Sequence, residues 1–515
     1  MLPIPDQLYL AYERTFHPDL SATRLAEHVG VSRTTVYNVV ERVVETLQPQ
    51  KRGPKPADRT AALHAEIHFL YEYIASLEAD LAQSVRLTEQ RTEDFVLTAS
   101  VLGVSLRKIG DLFQVAFDRP LSKDRAQALL NRYQPVARQI FEELRPLFHE
   151  RVSDLCADEI FLGQAPVLVG VEPQSMAWVL LKRAAHRDAE TWNRELAPFA
   201  HLEVIASDRG KGLGAAIEAQ RAARAETGEP LHHQHDHFHF KHDRGKVLRH
   251  LEAAAYRAME REEAQRQAVA QVQDRRGHAT TLAKLRAKTE AALERFDAAE
   301  QGCQQIDEAL TLFDPQGELK RPEHAHQMLG EAVGPLEALG ETCLKPVIRQ
   351  AKDPKLLTFL TVLWSRLAAL AIPQSLLGLL TFLWFYGNQA SEATRQRLAG
   401  KALTAWLVLQ AERKAGAPVG YWYHQVDLLL AGVLRASSLI EAMNSLVRGY
   451  QNNKKHLSED FLFLCALYHN LHPFRTGKRK GRSPLEMLGI AVPCQNWLHL
   501  LRHPELVKQI GTSKR

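Results

Sequence analysis

Apolar residues recur at helical spacing along most of this chain, and at strand spacing mainly between about residues 154 and 208. The opening segment SATRLAEHVGVSRTTVYNVVERVVETL predicts two helices, opened by Ser21 and Ser32 and separated by a turn at Gly30. Val36, Val39, Val40 and Val43 share one face of the second helix. Ala26, Gly30 and Val36 are small or apolar where the two helices must cross. Leu63, Ile67, Leu70, Ile74, Leu77 and Leu81 then alternate by four and three, a short heptad seam open to self-association or to internal packing. Further on, the pattern predicts a helix over Leu106–Phe113, a break at Asp118-Arg119-Pro120 and a long helix begun by Ser122. This stretch is either a second helix-turn-helix or a helical connector.

The period changes at Asp154. DLCADEIF, APVLVGVEP and SMAWVLLKR read as successive strands with tight turns, followed by a helix near Ala189–Pro198 and a strand LEVIAS that ends on Asp208. Beyond Phe240 the strand pattern stops, and residues from about 245 to 430 read as helices, first charged and then apolar. The domain divisions expected are 1–56, 57–93, 94–150, 151–243, 244–430, 431–490 and a tail over 491–515.

Composition narrows the class. Hydrophobic residues at 45% and charged residues at 24% fit a globular protein with a sizeable core. A net charge of +5 permits a polyanionic partner without requiring one. Cys156, Cys303, Cys343, Cys465 and Cys494 are scattered and never in a C-x-x-C pair, which argues against a disulfide framework or a zinc site and fits a reducing cytoplasm. No secretory leader is visible in MLPIPDQLYLAYERTF. The uncharged stretch Leu367–Tyr386 approaches the length of a membrane span, but Pro373 and Gln374 divide it into pieces of globular-helix length. Buried helices, and no membrane partner, are the expectation.

Three acids carry the candidate chemistry: Asp158, Asp208 and Glu441. The first two sit on or beside strands and the third on a helix. Carboxylates repel one another unless a cation holds them, so their convergence implies bound divalent metal. Asp154 competes with Asp158 for the first position, because alternation puts both on one strand face and Glu159 on the other. Glu441 shares a helix face with Asn444 and Arg448, an E-x-x-N-x-x-x-R pattern facing something anionic or metal-bound. Asp236-His-Phe-His239 lies in a histidine-rich segment whose spacing matches no closed zinc pattern; a solvated loop or strand is the bland alternative. Gly210-Lys-Gly-Leu-Gly214 is not a Walker sequence and reads as a tight turn into a helix.

Basic residues stand beside these acids. Lys51 and Arg52 lie in a proline-containing linker, Arg209 and Lys211 follow Asp208, and Arg475, Lys478, Arg479, Lys480 and Arg482 cluster near the C-terminus. Asn452, Asn453, Lys454 and Lys455 extend the Glu441 helix in the same sense. Such runs track phosphates with steep salt dependence.

The first module resembles the DNA-binding helix-turn-helix of bacterial regulators and transposases, with Arg33, Thr34, Thr35, Tyr37 and Asn38 presented to a groove. Taken together, the chain resembles a bacterial DDE transposase with a large helical insertion in an RNase H-like domain, a likeness covering nearly its whole length to about Leu488. The resemblance implies an α/β RNase H-like core with a mixed sheet, all-α helix-turn-helix modules ahead of it, and a large all-α insertion. It implies that Asp158, Asp208 and Glu441 hold two Mg²⁺ or Mn²⁺ ions, and that His239 orients a carboxylate or meets the scissile phosphate. The 233 positions between Asp208 and Glu441 (208 to 441) depart from the short spacing common in the family, and an inserted helical domain accounts for them. Double-stranded DNA, a homodimer or higher oligomer, and a nucleoid-associated cytoplasmic location follow as expectations. A non-catalytic helix-turn-helix protein is the main alternative, and a helical scaffold the third.

Overall fold

The computed structural model describes residues 4–16, 20–47, 56–83, 87–226, 228–271, 276–435, 438–453 and 457–509. Lys51, Arg52, Lys454, Lys455 and the Glu441 side chain fall outside that description. The chain divides into two compact units, residues 1–86 and 87–515.

The first unit holds α1 (Ile4–Phe16), α2 (Ala22–Val29), α3 (Arg33–Leu47) and α4 (Pro56–Gln83). Ser21 caps α2 by accepting from the Arg24 N–H, and Gly30 takes the left-handed conformation (φ 68°) that closes it. Leu10, Ala22, Leu25, Ala26, Val36 and Val39 form its core. Leu63 and Ile67, on the expected seam of α4, stand exposed at 46% and 47%.

The second unit begins with α5 (Glu89–Val101), α6 (Leu106–Phe117) and α7 (Lys123–Arg151). The α5–α6 turn repeats the α2–α3 turn at an offset of 73 residues (30 to 103). Gly103 has φ 85° where Gly30 has 68°. The Val104 N–H donates to Ala99 O at 3.0 Å, as Val31 N–H does to Ala26 O at 2.9 Å. Ser105 caps α6 as Ser32 caps α3. The helix expected over Leu106–Phe113, the break at Asp118-Arg119-Pro120 and the helix begun by Ser122 are present as α6, a left-handed Asp118 and α7 capped by Ser122.

Next come β1 (Asp154–Leu162), β2 (Ala165–Val171), β3 (Trp178–Arg183), α8 (Ala189–Leu196), β4 (Val204–Ser207), α9 (Lys211–Ala225) and β5 (His232–His235). They form a mixed five-stranded sheet ordered β3-β2-β1-β4-β5. β2 runs antiparallel to both β1 and β3, whereas β4 and β5 run parallel to β1. The crossover helices α8 and α9 satisfy the parallel connections, as such connections require. β5 is the strand that hydrophobic patterning does not find, since its sequence is His-His-Gln-His.

The chain continues helically through α10 (His237–Ala270), α11 (Arg276–Ala309), α12 (Pro322–Ala338), α13 (Lys345–Ala351), α14 (Thr358–Ala369), α15 (Gln374–Asn388), α16 (Glu392–Lys414) and α17 (Val419–Ala431). Most of these share an apolar core of their own, which includes Leu329, Leu336, Leu360, Leu380 and Trp384. Pro373 caps α15 and separates it from α14; among the described residues no helix is long and apolar enough to cross a membrane. The chain returns to the sheet with α18 (Ser438–Asn453) and α19 (Glu459–Leu471), then ends in α20 (Pro484–Met487) and α21 (Trp497–Arg502). Ile440, Met443, Val447 and α19 residues such as Phe463 join the sheet core. The fold is thus mostly helical, built around one small mixed sheet.

Candidate functional site

The register between β1 and β4 sets the site. Asp154 pairs with Val204, and the ladder runs in step to Ala157 opposite Ser207. β4 ends at Ser207, so Asp208 follows the tip of β4 while Asp158 follows Ala157 on β1. Both carboxylates are half-buried. Asp158 Oδ1 accepts from the Glu159 N–H at 2.7 Å, and Asp208 Oδ1 from the Gly210 N–H at 2.8 Å.

α18 closes over β1 at this point. Asn444, 1% exposed, donates from Nδ2 to Asp158 Oδ2 at 2.7 Å. Its amide oxygen is buried without a hydrogen-bond partner among the described residues. Glu441 lies one helical turn earlier on α18, so its backbone belongs to the element that covers Asp158.

Two acids that compete with Asp158 are committed elsewhere. Asp154 is 1% exposed and receives both arms of Arg366, at 2.9 and 2.5 Å. Glu159 points to the opposite face, where Trp192 Nε1 donates to it at 2.9 Å and Arg187 at 3.0 Å. Of the three, Asp158 alone accepts a hydrogen bond from α18 among the described residues.

The end of β5 lies next in line. The Asp236 N–H donates to Ser207 O at 3.0 Å, so Asp236 adjoins the tip of β4. Its carboxylate caps α10 through the Phe238 and His239 N–H groups at 3.0 and 3.1 Å, and it also accepts from His239 Nδ1. That contact orients an imidazole that is 41% exposed. Behind it, burial pushes His237 down to about 4 and His233 down to about 3. These rings are structural and neutral.

Arg209 and Lys211 open α9 beside Asp208 and are exposed. Gly212 admits no side chain, because a Cβ there would stand 1.9 Å from Arg187 O. Gly212 is therefore a packing requirement between α9 and the α8 cap, whereas Gly214 faces open space. Arg448 is exposed one turn beyond Asn444. The C-terminal basic loop sits elsewhere: Arg479 donates to Gln174 O at 2.8 Å and to Pro173 O at 3.2 Å, in the β2–β3 turn. That turn lies past Val171, on the Asp154 side of the sheet. Lys478 and Lys480 remain exposed there. Arg33, Thr34, Tyr37 and Asn38 are exposed along α3 in the first unit, with Thr35 half-buried.

Arg435 carries no signal in the sequence that marks it. It precedes α18, its carbonyl accepts from the His237 N–H at 3.1 Å, and it has no ion pair among the described residues. Burial alone pulls its guanidinium pKa down. A desolvated cation without a carboxylate beside these strand ends is suited to an anionic ligand.

Among the described residues no three His, Cys, Asp or Glu side chains are grouped to hold a metal ion, and the Glu441 side chain is not among them. Asp158, Asp208 and the orphaned Asn444 amide oxygen nonetheless supply hard oxygen donors of the type that Mg²⁺ and Mn²⁺ take. No family model matches this chain, and no curated protein matches its sequence.

Proposed function

We propose that this protein is a DDE transposase, a metal-dependent enzyme that cleaves DNA at the ends of a mobile element and joins those ends to target DNA. The observation that carries the reading is the position of Asp158 on β1, where Asn444 of α18 bonds to it, with Asp208 just past the end of the parallel neighbour β4. The strand order 3-2-1-4-5, antiparallel through the first three strands and parallel in the last two, supports an RNase H-like core. The helical segment α10–α17 between β5 and α18 supports a large insertion ahead of the third acid.

In this reading Asp158, Asp208 and Glu441 hold two divalent ions. Bound there, such ions supply activation of the attacking oxygen and stabilisation of the leaving oxygen. The chain's own groups do the rest. Asn444 fixes the Asp158 carboxylate, Asp236 fixes the His239 ring, and Arg435 and Arg448 face the phosphate charge. Arg33, Thr34, Thr35, Tyr37 and Asn38 of α3 read the major groove at the element ends. Lys51, Arg52, Arg209, Lys211, Lys478, Arg479 and Lys480 track the backbone, Arg479 with only what its anchoring to the β2–β3 turn leaves. The exposed apolar seam of α4 supports self-association, which synapsis of two ends requires.

The test is replacement of Asp208 by Asn, with end binding and cleavage assayed in parallel. Retained binding with lost cleavage is expected; wild-type cleavage contradicts the assignment.

A further inference from the structure

α16 turns one side to the core and another, equally apolar, to solvent. It packs on α15 through Ala402 and Ala405, which are buried with Phe382, and Leu398 lies against the same cluster. Its flanks are tied down by backbone contacts: Arg395 donates to Tyr386 O, and Arg397 and Lys401 donate to Pro315 O and Gln316 O. Away from these, at a spacing of three and four, Leu403, Trp406 and Leu407 stand 59%, 51% and 52% exposed. Ala399 and Gly400 are exposed one turn earlier. Large apolar side chains grouped in this way mark an interaction surface, whereas single exposed ones do not.

The stripe is complementary to its own reverse. Helical spacing continues it through Gln396 and Glu392 in one direction and through Gln410 and Lys414 in the other. Eleven positions from Leu403 stand an acid and a base, Glu392 and Lys414 (392 to 403, 403 to 414). Seven positions away both residues are glutamines, Gln396 and Gln410. Closer in, the small Ala399 and Gly400 balance the large Trp406 and Leu407. A second α16, running antiparallel across a two-fold axis at Leu403, brings each residue to the level of its counterpart. Acid then meets base at both ends, amide meets amide, and the bulky pair meets the small pair. The helix dipole by itself favours an acidic first turn and a basic last turn. It does not set small residues against large ones about one leucine.

We propose that α16 is a two-fold interface between two copies of this chain, with the helices antiparallel and Leu403 on the axis. Symmetry makes each favourable pair occur twice, so Leu403 is covered by its own copy and both Glu392–Lys414 pairs form together. A 23-residue helix presents a contact about 35 Å long. One such stripe buries less than the standard interface of about 800 Å² per partner, so the association falls in a roughly micromolar range. The surface belongs to the second unit, whereas the α4 seam belongs to the first. It needs no DNA, and the inference does not depend on the transposase reading.

Self-association of the full chain is measured by sedimentation equilibrium without DNA. Every protein carries Leu63→Glu and Ile67→Glu, which silence the exposed seam of α4. This background is expected to dimerise with a dissociation constant of roughly 1–100 μM. Leu403→Glu sets two like charges on the axis and should weaken the dimer by roughly 100-fold or more. Glu392→Lys places like charges at both ends and should weaken it by roughly tenfold, and adding Lys414→Glu should restore it. All three positions are exposed, and an unchanged melting curve excludes misfolding. A background protein that stays monomeric, or a dimer indifferent to Leu403→Glu, overturns the proposal. A charge-swapped double variant that associates no more tightly than Glu392→Lys overturns the antiparallel arrangement, and the proposal with it. DNA cleavage by a protein that fails these tests leaves the transposase reading intact, and dimerisation without cleavage counts against that reading alone.

Discussion

Arg366 of α14 grips both carboxylate oxygens of Asp154 on β1, at 2.9 and 2.5 Å, and the same guanidinium reaches Glu203 at 2.7 Å. This fork ties the helical segment between β5 and α18 to the first strand of the sheet. It also removes Asp154 from competition for a metal, because its negative charge is already matched inside the fold.

Arg366→Ala leaves the Asp154 carboxylate buried and unpaired. Breaking one partner of a buried pair costs about 3–5 kcal/mol. Urea denaturation should show a loss of that order, and Asp154→Asn combined with Arg366→Ala should recover part of it. A change under about 1 kcal/mol would mean that the pair is no more than a surface contact.

Asn444→Ala removes the donor that holds Asp158. A partner that orients a metal ligand is worth about 10- to 100-fold in activity or metal affinity. DNA cleavage should fall by that factor while DNA binding is kept. Equal losses of binding and cleavage would instead mark Asn444 as a packing residue.

The buried histidines give the protein an acid-labile edge. His237 donates from Nε2 to Leu356 O at 2.7 Å, and burial depresses its folded pKa to about 4; His235 is depressed by burial to about 4 and His233 to about 3. Their unfolded values lie near 6.5, so below that pH the unfolded chain binds more protons than the folded one. Stability is full above about pH 6.5 and declines as the pH falls towards 4. Melting temperatures across pH 7.5 to 4.5 should drop, and less steeply for His237→Gln. Identical slopes for the two proteins would remove His237 from this account.

Sequence-specific binding should rest on α3. Asn38 is exposed, so Asn38→Ala keeps the fold and should weaken binding to the preferred duplex by about 1–3 kcal/mol while leaving nonspecific binding intact. Uniform weakening across all sequences would make Asn38 a backbone contact.

The strands that patterning finds are those whose apolar residues fill the core: Leu155, Val167, Val169, Val179, Leu181 and Ile205 are all at most 2% exposed. β5 escapes detection because His233 and Gln234 are buried through polar contacts with Ser207, Leu356 and Phe359 and His235 lies against Asp353, and hydrophobic periodicity carries no trace of those. Alternation alone leaves Asp154 and Asp158 equivalent. Arg366, more than 200 positions away, separates them, and no local pattern contains it. Arg435 is hidden for the same reason. The turns VGVS at 29–32 and LGVS at 102–105 are near-copies in sequence as in conformation, and the Asp118-Arg119-Pro120 break and the Ser122 cap were legible directly.

The central claim is that Asp158 and Asp208 act as one unit. Cleavage of DNA carrying the segments that flank the coding region should therefore be measured with Mg²⁺ for the wild type, Asp158→Asn, Asp208→Asn and the double variant. Groups that act as a unit are strongly non-additive. Each single variant should lose about as much cleavage as the double one, with DNA binding retained in all. Wild-type cleavage by either single variant, or no metal-dependent cleavage by the wild type, would contradict it.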